Sequence, residues 1–421
     1  MLSSEAVRRC RAAKVGGTAI PRHAMLLIAL LLLVPTVARG APFIPAEDDV
    51  VLEQVPDARD ASGRALRLLN ARLAENRHDL GLAEQVARLD IGQSRKLGDP
   101  RFLGRAEAAL APWPTDSTTP APVLLLRAVI LQSNHDFTGS IAALQRVVID
   151  EPASAQAWLT LAAVHQAQAD YPAALRDCGQ FASHTLGLAP DTCTAAVMSL
   201  TGHAPVALRA LGISLSENAA EATALPDVAL WTVTLEAETA ERLDDPKVEG
   251  FYSAALAIDG TDPYLLGAWC DYLLDHERPQ EVMALLSGYT RNDPLLLRLA
   301  LAEKATGSAR MADHINDLAA RFEASRLRGD TVHRREEARF ALYLEGQPQR
   351  ALVLARANWD VQREPADARI LLETALAAGH PEIAEPVRVW LAENGVEDRR
   401  LVALAARRGG LLGGHANGRK S

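Results

Sequence analysis

The chain has 421 residues, more than a single hydrophobic core usually serves, so it needs several domains or an elongated fold that never builds one large core. Hydrophobic residues reach 48% while aromatics stay at 5%, with Ala and Leu ahead of Val, Ile and Tyr, a balance that favours helix over sheet. The formal charge of -9 disfavours nucleic acid, whose binding rests on neutralising phosphates, and anionic lipid surfaces.

In chain order, Met25 to Val34 is a short apolar run preceded by Arg8, Arg9, Arg11, Lys14 and Arg22, too short for a comfortable membrane span. Ala38 and Gly40 sit at the small-residue positions of a signal-peptidase site, so residues 1–40 read as a signal peptide and the mature chain as starting near Ala41. An uncleaved anchor is the alternative. No Cys follows the run, which argues against a lipoprotein. Cleavage would leave 38 basic and 52 acidic residues, a formal charge of -14, on a periplasmic or secreted protein. Residues 41–58, with Pro42, Pro45 and Pro56, read as extended, and 59–112 as degenerate helical hairpins. Residues 113–120, inside "APWPTDSTTPAP", read as a linker separating those hairpins from a clearer array beyond it.

From residue 121 the chain repeats itself. An offset of 34 pairs Ala128 with Ala162, Gln132 with Gln166, Asp136 with Asp170 and Phe137 with Tyr171. Prolines give a second periodicity: Pro100, Pro172, Pro205, Pro246, Pro279, Pro348 and Pro381 each follow a polar or Gly turn and precede a helix-forming run. Proline fits the first turn of a helix, where its missing N–H would lack a partner anyway. Each therefore marks entry to the second helix of a hairpin, with Thr138 and Ser308 in the equivalent slots, for about nine hairpins. Asp136 and Asp170 are expected to cap second helices, and Phe137 and Tyr171 to wedge between hairpins.

The segment "AQAWLTLAAVHQAQADYPAALRDC", with Trp158, Leu161, Ala162, Tyr171, Ala174 and Cys178, resembles the tetratricopeptide repeat pattern. The match is good over 121–188 and holds in spacing over 263–296, so 121–296 forms the array, with Arg127 an exception where Leu is expected. Residues 297–408 keep helix periodicity but lose most signature residues; "EDRRLVALAARR" (397–408) reads as a helix capping the open end, and 409–421 as a disordered tail. The resemblance implies an all-α solenoid of stacked helical hairpins of exported bacterial type, working as a binding protein.

It also implies that the first helices line a concave groove for an extended peptide or partner helix. By position that groove consists of Leu125, Val129, Gln132, Gln156, Leu159, Thr160, Ala163 and Gln166. Relatives that grip a terminal carboxylate use Lys, Arg and Asn at such positions, so this apolar, Gln-bearing groove is expected to bind peptide backbone instead. The alternative is that these residues pack against a neighbouring turn of the superhelix.

Chemical motifs are few. No HExxH, GxSxG, phosphate loop or CxxC occurs in the mature chain, and no catalytic residue, cofactor or metal site is assigned. His333 and Glu337 are one helical turn apart but lack a third ligand, so they read as part of a solvated, salt-bridged face in "RFEASRLRGDTVHRREEARF". His165 reads as a core or groove histidine, with His135 and His184 scattered, and Asp244 with Asp245 as turn residues. Cys178 and Cys193 lie on adjacent helices, either as a disulfide stapling neighbouring hairpins or as two buried thiols. The function expected is a protein or peptide scaffold or assembly factor of the cell envelope, touching membrane only through its partner. The rivals are an enzyme built from 297–395 and a small-ligand or polysaccharide receptor using Trp269 and Trp359, both of which fit core positions.

Overall fold

The computed structural model describes residues 61–330 and 332–407. The expected signal peptide, extended segment and disordered tail lie outside these residues. Everything described is helix or connection, without a strand.

Helix α1 (Ala61–Glu75) leans on the first of nine hairpins. These pair α2 (Leu80–Leu97) with α3 (Arg101–Leu110), α4 (Ala121–Ser133) with α5 (Phe137–Asp150), α6 (Ala155–Ala167) with α7 (Tyr171–His184), and α8 (Leu188–Met198) with α9 (Ala204–Glu217). After a short α10 (Ala219–Ala224) come α11 (Pro226–Leu243) with α12 (Val248–Ile258), and α13 (Pro263–Asp275) with α14 (Pro279–Leu286). The last three pair α15 (Asp293–Thr306) with α16 (Met311–Leu327), α17 (Arg334–Tyr343) with α18 (Pro348–Trp359), and α19 (Pro365–Ala377) with α20 (Glu385–Asn394). Helix α21 (Arg399–Ala406) ends the array. The fold is an all-α stack of helical hairpins.

Each hairpin turn is built alike. Its reversal uses one residue in the left-handed region: Gly98, His135, Ala169, Gly202, Asp244, Glu277, Gly307, Gly346 and Gly379 in order. A residue of this conformation ends a helix because it turns the chain while leaving the last carbonyls accessible to donors. Five of the nine are Gly, for which the conformation costs nothing; Ala169 lacks that freedom, and its Cβ crowds the following carbonyl. The second helix then starts on a cap or a proline. Asp136 accepts from the Gly139 N–H at 2.9 Å and Asp170 from the Ala173 N–H at 3.1 Å. Pro172, Pro205, Pro279 and Pro348 lie in the first turn, while Pro100 is the cap residue of α3, Pro246 sits in the turn before α12, and Pro381 opens a short 3-10 turn, Pro381–Ala384, that leads into α20.

Packing runs continuously through the 113–120 connection. Ala87 and Ile91 of α2, Leu103 of α3 and Val123 and Ile130 of α4 form one buried cluster across it. Arg127, which breaks the aliphatic pattern, holds the connection down: its guanidinium donates to the carbonyls of Pro114, Leu110 and Trp113 at 2.6, 3.0 and 2.8 Å. Phe137 is buried against Val164 and Ala167 of the next hairpin. Trp158 is half-buried: its ring packs against the buried clusters on either side while its indole N–H donates to the Pro152 carbonyl at 2.8 Å.

The stack curls back on itself. The largest buried cluster joins Tyr171, Cys178, Phe181 and Cys193 to Trp359, Leu371, Trp390 and Leu401, side chains from widely separated hairpins. Polar bonds follow the same seam: Trp390 Nε1 donates to the Tyr171 hydroxyl at 3.1 Å, the Arg363 N–H to the Ala167 carbonyl at 2.8 Å, and the Ala204 N–H to Glu397 at 2.7 Å. Helix α21 therefore does not cap an open end as its charged sequence implies. Leu401 and Leu404 bury against the core while Arg400 reaches inward to Asp275 and to Glu241. The run "RFEASRLRGDTVHRREEARF" also departs from expectation. It is salt-bridged, but Glu336 and Glu337 are buried: Glu336 faces the interior of the curled stack, and Glu337 is enclosed by Arg326 and Arg350 of the neighbouring helices.

Two stability outcomes are expected. Trp390→Ala removes a large buried ring from the seam and should lower unfolding free energy by about 3–5 kcal/mol in chemical denaturation. Ala169→Gly relieves the left-handed turn and should raise it by about 1 kcal/mol.

Candidate functional site

The inner wall of the curled stack is made by first helices. In α4 and α6 apolar residues run almost all the way round, because one side packs on the partner helix and the other faces inward. The structure brings all eight residues assigned to the groove to the wall of one cavity of 880 Å³. They contribute unequally. Leu125 and Thr160 are buried, and Thr160 spends its hydroxyl on the Gln156 carbonyl at 2.7 Å. Gln156 and Ala163 are exposed; Val129, Gln132, Leu159 and Gln166 are half-buried. The side-chain amides of Gln132 and Gln166 have no hydrogen-bond partner among the described residues.

Helix α2 supplies the facing part of the wall, which the repeat pattern did not reveal. Arg88, Ile91, Gly92 and Arg95 line the same cavity at helical spacing. A Cβ placed on Gly92 would meet nothing within 4 Å, so the space in front of it is open. Gly in a helix interior costs roughly 1 kcal/mol against Ala, and no neighbouring atom in this structure requires it. At the rim His135 stacks on Phe137, ring centroids 5.4 Å apart, and burial pushes its pKa down to about 4. It is neutral at physiological pH. The disulfide between Cys178 and Cys193 ties α7 to α8, and Cys193 itself lies on the groove wall, so the bond anchors that wall to the hairpin behind it.

A second chamber of 410 Å³ adjoins the groove, sharing Arg95, Gln166, Ala196, Tyr264 and Glu364 with it. Its lining is charged. Burial alone would raise the carboxyl of Asp271, but Arg298 and Arg339, which donate to it at 2.5 and 2.9 Å, hold it well below the usual carboxylate range. Arg369 forks onto Asp275 with two bonds of 2.7 Å and reaches Glu373 at 2.7 Å. Arg335 pairs with Glu336 at 3.1 Å and approaches Asp367 at 3.5 Å. Elsewhere on the wall burial wins over pairing: Glu241 is pushed up to about 7 although Tyr252 donates to it at 2.8 Å, and Glu238 is also raised although the Tyr264 hydroxyl donates to it at 2.6 Å. Buried ion pairs of this kind are weak evidence for stability, since desolvation offsets much of the attraction. They do fix the geometry of the wall.

The other candidate side chains lie outside the groove or are spent on packing. Glu337 sits between Arg326 and Arg350, not on a solvated face, and His333 begins α17 without joining it in a ligand set. No group of three His, Cys, Asp or Glu placed to hold a metal occurs among the described residues. His165 is half-buried and bonded to Asp177 at 2.6 Å across its own hairpin, while His184 is exposed. Asp244 forms the left-handed turn after α11, and Asp245 accepts from the Lys247 N–H. Trp359 is buried edge-on against Trp390, and Trp269 stacks on Tyr272 at 5.2 Å. Both rings are engaged in packing, which removes the platform a sugar would need. No helix among the described residues is long and apolar enough to cross a membrane.

No protein-family model matches the chain, and no curated protein matches it. Similar solved structures include a tetratricopeptide repeat protein from Parabacteroides merdae at 14% identity and a TM-score of 0.36, the likeness covering 60% of this chain and 98% of that one. A human IFIT1 dimer with PPP-AAAA stands at 11% and 0.41, covering 83% and 96%. The P58(IPK) TPR domain gives 11% and 0.20, covering 79% and 94%. What these proteins bind has no bearing on the chemistry of the walls described above.

The raised Glu241 has a measurable consequence. A carboxyl whose folded pKa lies above its unfolded value binds more protons in the native state, so the native state loses stability as pH rises from about 4.5 to 7. Glu241→Gln removes that loss. The variant should match the wild type near pH 4 and exceed it at pH 8 by on the order of 2 kcal/mol, read from urea unfolding across the pH range.

Proposed function

We propose that the chain is an exported, non-catalytic binding protein that takes an extended segment of a partner protein into the groove between α2, α4 and α6, and that it serves as a scaffold or assembly factor of the cell envelope. Export rests on the basic residues, apolar run and small residues of positions 1–40. The observation that carries the binding reading is the groove wall itself. On the α4 and α6 side, the wall of the 880 Å³ cavity sets Val129 and Leu159 beside two amides, Gln132 and Gln166, that make no bond among the described residues. An extended peptide backbone offers a donor and an acceptor at every residue, which is what a primary amide satisfies, and its alternate side chains would rest on Val129 and Leu159.

A protein array of envelope proteins probed with the purified chain provides the test, with two variants of the groove wall. Gly92→Leu fills open space, and Leu159→Glu places a charge on the apolar floor. Both should lower partner affinity by at least about tenfold, and Gly92→Leu should do so while unfolding stability changes by less than about 1 kcal/mol. Retained binding in both variants would move the site away from this groove.

A further inference from the structure

The neck between the groove and the charged chamber contains one feature that the binding reading leaves unused. Of the seven arginines lining the chamber, Arg298, Arg335, Arg339, Arg369 and Arg400 each have at least one carboxylate within ion-pair distance. Arg242 donates to two hydroxyls, Ser199 at 2.9 Å and Thr239 at 3.1 Å, and its Nε is buried without a partner. Arg95 has neither ion pair nor hydrogen bond from its guanidinium among the described residues. Its side chain is exposed, yet its charge is penalised by the surrounding wall, and no neighbouring carboxylate offsets that penalty. It is thus open to the cavity at the point where groove and chamber meet.

We infer that Arg95 is the specificity determinant of the groove and that it selects partner segments carrying an Asp or Glu side chain beside aliphatic residues. The inference rests on the groove reading. A guanidinium in a partly desolvated neck gains more from a carboxylate than it would at an open surface, and it presents two parallel N–H groups that match a carboxylate's oxygens. Glu364, also at the neck, stands 3.7 Å from Arg335, and Glu238 accepts from Tyr264, so neither carboxylate is committed to Arg95. Arg88, two helical turns back along the same stripe of α2, lies 3.8 Å from Glu84 and is half-exposed, adding positive charge on the groove side. Ile91 and Gly92 between these arginines leave an apolar, unfilled seat for the residues next to the acid.

The test uses the purified full chain against a library of random twelve-residue segments displayed with both ends fused, so that no free chain terminus takes part. The expected result is enrichment of segments with aliphatic residues and one Asp or Glu. Arg95→Lys should keep that preference, Arg95→Gln should bind the enriched segments about tenfold more weakly and lose the acidic preference, and Arg95→Glu should enrich Lys or Arg in its place. Aliphatic enrichment should survive all three substitutions and disappear in Leu159→Glu. Segments enriched for aliphatics without an acid, or an acidic preference unchanged in Arg95→Gln, would overturn the role of Arg95 while leaving the groove reading intact. No enrichment at all by the wild-type chain would overturn both.

Discussion

A helix of ten to fourteen residues cannot hide its apolar face or hold its own shape in water; it must find another surface. That constraint governs this protein. Pairing two such helices covers only one side of each, and the uncovered sides drive hairpin onto hairpin in the manner of repeat proteins. Most solenoids leave two open ends. Here the aromatic seam of Tyr171, Trp359 and Trp390 satisfies the late hairpins against the early ones, so the chain's first helices surround a space instead of lining an open trough.

Enclosure changes what charged side chains can do. On an open solenoid, arginines and carboxylates at helical spacing would be screened by solvent and contribute little. In the curled stack Arg298, Arg339 and Arg369 point into a chamber where their partners come from other hairpins, as with Arg369 and Asp275. A hairpin seated one position off would strand such a charge away from water, which costs free energy. The groove beside this chamber is different in kind. Its wall is aliphatic and amide-bearing, its α8 side is tied back by the Cys178–Cys193 bond, and its α2 side carries open space over Gly92. One interior thus holds a rigid polar half and a half with room for a ligand.

How much of this could be read from residues depends on how local the cause was. Asp136 and Asp170 announced their helix starts because a cap acts over three residues, and the prolines did so because ring geometry acts on one. The groove positions were legible for a related reason: inward-facing residues of a first helix are determined by repeat register. Arg127 was not legible, because its partners are three carbonyls in a connection whose path no pattern specifies. Nor were Glu336 and Glu337, whose spacing with Arg is the same on a solvated face and in a buried network. The left-handed turns were half visible. Five carry Gly, but Ala169 gives no sign, since only the helix packing on either side obliges it to take that conformation.

The amino-acid order by itself determined the hairpins, their number and the faces they bury, because helix periodicity, capping and turn chemistry are short-range properties written into neighbouring residues. It left open whether the stack runs straight or curls, and therefore whether the charges of the late hairpins meet water or each other. Only the tertiary structure decided that, since the deciding contacts, such as Tyr171 with Trp390, join residues that no local rule relates. Arg95 shows the same division. Its place on an inward stripe of α2 follows from helical spacing, but the neck at which it stands without an ion pair is closed by hairpins contributed by the other end of the chain.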